Sequence, residues 1–162
     1  MGQNIQEKFT DAQNELRLAI MNFIIDNGRP FNLKSDGFAA LSGIRLSSGG
    51  EYSGIVALLQ EKDGLVADEA GNVNFIYPAS ALPTHHRVTL ADGREFTAMC
   101  AIDALGAAFT FGQDAKVNSK CSVCGAPVHV EIRSGVVAKC SPESLHALSF
   151  DLAGLSNWAA SC

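Results

Sequence analysis

Apolar side chains recur every three or four positions over residues 7–26, at Phe9, Ala12, Leu16, Ala19, Ile20 and Phe23. That is the period of a helix with one buried face. Asn27-Gly28 followed by Pro30 supplies its stop. A shorter helix is expected over residues 33–41. A third is expected within "SSGGEYSGIVALLQEKDG", with Ile55, Leu58 and Leu59 on its buried side. The pattern then changes from helical spacing to alternation. "GLVADEAGNVNFIYP" alternates about Gly71-Asn72, and "ALPTHHRVTLADGREFTAMC" alternates about Asp92-Gly93; both read as β-hairpins. "TAMCAIDALGAAFTF" (97–111) reads as a strand end running into a short apolar helix. "KVNSKC", "PVHVEIR", "GVVAKC" and "ALSFDL" read as further strands, with turns at Gly125-Ala126-Pro127 and Ser134-Gly135.

The expected fold is therefore α+β. A three-helix, winged-helix-like module (1–80) precedes a mostly β domain (81–162) with a mixed or antiparallel sheet and one short embedded helix. Apolar residues make up 47% of the 162-residue chain, enough for a core. No apolar run approaches the ~18 residues of a membrane span. The N-terminus lacks the basic-then-apolar layout of a secretion signal, so a cytoplasmic protein without a membrane partner is expected.

Charge narrows the partners. Residues 1–80 hold six Lys/Arg against ten Asp/Glu, and residues 81–162 six against seven. On the third helix, where a winged helix would read bases, Lys62 stands against Glu51, Glu61 and Asp63. Phosphate contacts need the opposite balance, so no nucleic-acid partner is expected.

Chemistry centres on Cys100 and Asp103. Three residues apart, they share one helical face. Cys100 falls near the helix N-terminus, where the dipole favours thiolate. Asp103 would deliver a proton beside it if burial raises its pKa. Both residues also have structural readings: a buried Cys is a common small core residue, and an acid in a first turn complements the dipole. Five cysteines without an export signal suggest free, reactive or metal-binding thiols rather than disulfides. Cys121 and Cys124 form a Cys-x-x-Cys-Gly turn, half of a zinc ribbon; Cys140 with His129 or His146 would complete an irregular site. Alternation points His85 and His86 to opposite faces, so they would not grip one ion together.

The segment from Leu82 to Ile132 resembles the core of the alkylmercury lyase family. The features that carry it are Thr84, His86 and Arg87 on one strand, an Asp-Gly hairpin, Cys-Ala-Ile-Asp at 100–103, and Cys121 before a Gly-x-Pro-Val turn at 125–128. The resemblance implies an enzyme that protonolyses a carbon–mercury bond, releasing a hydrocarbon and Hg(II) without an organic cofactor. It implies Cys100 and Cys162 as the mercury-binding thiols, Asp103 as the proton shuttle at the metal, and Cys121 as structural. It also implies an organomercurial substrate and, as acceptor of the product, cellular thiols or a mercuric reductase. Cys124 and Cys140 are thiols the family pattern does not require, and the family continues past the position of Cys162. The alternative is a non-enzymatic relative that binds Hg, Cu or Zn, with zinc or copper at Cys121, Cys124 and Cys140. A winged-helix metal sensor is a third class, disfavoured by the acidic helix.

Overall fold

The structure is a computed structural model that describes residues 8–148, apart from Ser42 and Ser47. Contacts divide the chain into two compact units, Met1–Ile76 and Tyr77–Cys162. Among the described residues no helix is long and apolar enough to cross a membrane.

In the first unit, α1 (Asp11–Asn27) starts from a capping box. Thr10 Oγ1 accepts from the Gln13 N–H at 3.3 Å, and Gln13 Oε1 accepts from the Thr10 N–H at 3.0 Å. It ends at Gly28, whose φ of 62° few other residues would tolerate. Leu16, Ile20, Met21 and Ile24 form its buried stripe. The helix α2 (Gly49–Glu61) is capped by Ser48 and buries Tyr52, Ile55, Val56 and Leu59. That stripe leaves Leu58 41% exposed, contrary to its expected burial.

No α-helix forms over residues 33–41. In its place are a two-residue strand β1 (Phe31–Asn32), turns and a single 3-10 turn at Phe38–Ala40. Among its described residues the unit thus has two α-helices where three were expected. Side chains take over the backbone donors here: Asn32 Oδ1 accepts from the N–H groups of Lys34 and Ser35, both at 2.9 Å. Asp36 accepts from the Asn32 N–H and, through both oxygens, from the Arg29 guanidinium, each at 2.8 Å. Such Asx bonding competes with the helical ladder, and Gly37 at φ 60° ends any continuation. The hairpin about Gly71-Asn72 is present, as β2 (Val66–Ala67) and β3 (Asn72–Ile76). Both β1 and β2 pair antiparallel with β3.

The second unit is an antiparallel sheet of β4 (Ala79–Ser80), β5 (His86–Leu90), β6 (Glu95–Ala98), β7 (Ala115–Lys120), β8 (Pro127–Arg133) and β9 (Val136–Ser141). Their order is β4-β6-β5-β7-β8-β9. Every described pairing is antiparallel, so the mixed-sheet option does not arise among these strands. Of the strand expected at 147–152, Ala147 and Leu148 are irregular and the rest lies outside the described residues. One helix, α3 (Ala101–Phe111), packs on β5, β6, β7 and β8. Alternation gives the sheet one buried face: Val88 and Leu90, Phe96 and Ala98, Ala115 and Val117, Val130 and Ile132. Against it α3 presents Ala104, Ala107 and Ala108, small enough for the helix to sit close.

Gly64 tests the packing of the first unit. A Cβ there would lie 2.5 Å from Phe9 Cζ and 3.3 Å from Leu59 Cδ2, and both of those residues are buried. Gly64→Ala is expected to destabilise the unit by about 1–3 kcal/mol, read as a lower urea midpoint at unchanged slope.

Candidate active site

The junction between β6 and α3 carries the site. Ala98 ends β6 between two strands, paired with Ala79 of β4 and His86 of β5. The Met99 N–H then donates to Pro78 O at 3.3 Å. Thr84 locks the other side: its hydroxyl donates to Ala98 O at 2.6 Å and accepts from the His86 N–H at 3.1 Å. The backbone entering Cys100 is therefore held from both flanking segments.

Cys100 is the N-cap of α3, with extended backbone at φ −140° and ψ 179°. Its side chain makes no capping bond to the helix. Instead the thiol donates to Asp103 Oδ2 at 3.1 Å, and the Cys100 backbone N–H also donates to that carboxylate. Asp103 thus fills the back-reaching half of a capping box, while the thiol occupies the place of its usual hydroxyl. Burial raises the Asp103 pKa to about 6, against the two opposing hydrogen bonds from Cys100. A soft nucleophile and a carboxyl that titrates near neutrality consequently share one proton-transfer contact. The opposite end of α3 is tied down as well. Gln113 Nε2 donates to Asp92 Oδ2 at 3.1 Å, and the Asp92 N–H donates to Gln113 Oε1 at 3.0 Å.

The remaining sequence candidates lie as follows. His85 is exposed and His86 half-buried, with His86 Nδ1 2.7 Å from Ser119 Oγ. Burial, and secondarily His85, holds His86 below the usual imidazole range. Arg87 is exposed and pairs with Glu95 at 3.6 Å. Cys121 and Cys124 stand together in the turn between β7 and β8, and both are free thiols. Cys140 lies in β9 opposite Val130. His129 bonds Asn118 and Glu131, and His146 bonds the Ser144 carbonyl. Among the described residues, no three His, Cys, Asp or Glu side chains gather to hold a metal ion. The set Cys121, Cys124 and Cys140, with or without a histidine, is thus not assembled there. Cys162 lies outside the described residues. Two contributors escaped the sequence reading, Ser119 as the partner of His86 and the Thr84 hydroxyl as a clamp on β6. Only the register of β5 against β6 and β7 would have shown either one.

Two comparisons with known proteins bear on this arrangement. Residues 79–162, just over half of the chain, match the family model described as "MerB: Alkylmercury lyase". Among solved structures, the fold is similar to the "Crystal structure of the mercury-bound form of MerB2", with a TM-score of 0.60 and 23% identity. That likeness covers 85% of this chain and 63% of the other, so the chain spans less than two thirds of that structure's length. No curated protein matches.

Two outcomes follow from the geometry. Thr84→Val removes both hydroxyl bonds at the β6 exit and is expected to cost about 1–3 kcal/mol, measured by denaturant unfolding. Asp103 gives a pH signature. Its folded pKa of about 6 lies above the unfolded value of about 3.9, so the folded chain holds this proton more tightly. The associated stability is complete below about pH 4 and is lost as pH rises through about 6. Relative to the parent, Asp103→Asn should therefore gain stability between pH 4 and 8, by up to about 3 kcal/mol. A pH-independent gap would refute the raised pKa.

Proposed function

The chain belongs to the alkylmercury lyase family, and from that premise we propose that it cleaves carbon–mercury bonds by protonolysis, with Cys100 and Asp103 as catalytic residues. The observation that carries this reading is the 3.1 Å contact from the Cys100 thiol to Asp103, at the start of a helix inside the family-matched segment.

The reaction balances as a ligand exchange followed by a proton transfer. The substrate's mercury bonds to the Cys100 sulfur and gives up its exchangeable ligand, a solution thiolate, as the thiol proton passes to Asp103. A second thiolate, assigned to Cys162, whose proton leaves with the displaced ligand as a free thiol, adds electron density to mercury and weakens its bond to carbon. Asp103 then returns the proton to the carbon, which leaves as a hydrocarbon with the electron pair of the broken bond. Hg(II) remains on the two sulfurs as product. A carboxyl with a pKa of about 6 suits both halves of this cycle, since it accepts a proton and gives it back near neutral pH. Partial burial of the pair limits loss of that proton to water.

Incubation with phenylmercury and excess thiol should release benzene. Cys100→Ser should abolish turnover. Asp103→Asn should lower kcat by about 10²–10⁴-fold while Cys100 still binds the substrate's mercury. The parent rate should fall as pH drops through about 6, because a protonated Asp103 cannot take the thiol proton. No benzene from the parent, or full activity in Cys100→Ser, defeats the reading.

A further inference from the structure

The Cys121–Cys124 turn has no role in the reaction above, yet its geometry is that of a ligand pair. The Cys121 N–H donates to Ala126 O at 2.8 Å and the Gly125 N–H to Cys121 O at 2.9 Å. These bonds close a tight loop that Gly125 completes at φ 72°. Within the loop, the Cys124 thiol and the backbone of Val123 and Cys124 lie against the Cys121 sulfur, so the two thiols of the turn are neighbours. The approach is open: Cys124 is exposed and Val123 is 93% exposed.

We propose that Cys121 and Cys124 form a two-coordinate site for a soft, thiophilic cation, and that its occupant is Hg(II). Two sulfurs side by side select a soft ion. Zinc would need four ligands, and among the described residues no third His, Cys, Asp or Glu joins the pair. Hg(II) is satisfied by two thiolates. Binding releases one proton from each thiol and forms two Hg–S bonds, with no change of oxidation state. The choice of Hg(II) rests on the lyase reading; the two-coordinate soft site does not. In this role the turn holds inorganic mercury at the surface, exposed to exchange with other thiols.

The test uses inorganic mercury alone, so it is independent of carbon–mercury cleavage. Full-length Cys100→Ser and Cys100→Ser/Cys124→Ser chains are loaded with mercuric chloride, challenged with glutathione, and assayed for retained metal after gel filtration. The single variant should keep about one equivalent and the double variant should lose it. In the unsubstituted chain, Hg(II) should also protect both Cys121 and Cys124 from iodoacetamide, as read by mass spectrometry. Equal retention in the two variants, or alkylation unaffected by Hg(II), overturns the proposal. Retention of Zn(II) against a chelator by the Cys100→Ser chain overturns the two-coordinate assignment. Mercury retention by the Cys100→Ser chain, with no benzene released from phenylmercury by the unsubstituted chain, would sink the lyase reading and leave this site standing; benzene from the unsubstituted chain with no retention by Cys100→Ser would do the opposite.

Discussion

The close seating of α3 on the sheet is the constraint from which the candidate site follows. Alanines at 104, 107 and 108 let the helix approach Val88, Phe96, Val117 and Val130, and close-packed interiors leave little freedom to slide. Both ends are then fixed by polar contacts, Thr84 to the Ala98 carbonyl before the helix and Gln113 to Asp92 after it. With the axis so determined, the first turn has one placement, and the thiol and carboxyl meet without relying on loop order. Reacting groups built on such regular elements hold their geometry better than groups on loops.

This arrangement sets stability against chemistry at Asp103. Enclosure that raises its pKa to about 6 is a cost to the folded state whenever the carboxylate is ionised. The same enclosure makes the group useful for proton transfer near neutrality. The two hydrogen bonds from Cys100 moderate that cost and keep the carboxylate oriented.

Local rules account for the parts of the molecule that the sequence made legible. The Asp92-Gly93 and Gly71-Asn72 turns joined alternating runs, and the hairpins formed there. Gly28 ended α1 as its position implied. The three-residue spacing of Cys100 and Asp103 translated directly into contact. Failures came where side chains or distant strands decide. Asn32 and Asp36 captured backbone donors and replaced a helix with turns. Leu58 faced solvent because Tyr52, Ile55, Val56 and Leu59 already completed the buried stripe. Thr84 meets Ala98 across fourteen residues and His86 meets Ser119 across thirty-three, separations at which a single sequence shows no pattern.

One consequence of Cys100 as an N-cap is evolutionary. Serine is among the residues best suited to begin a helix, and a single base change converts a cysteine codon to a serine codon. The backbone at position 100 is already extended as an N-cap requires. The fold itself therefore makes no demand for sulfur here, and a serine would begin the helix at least as well.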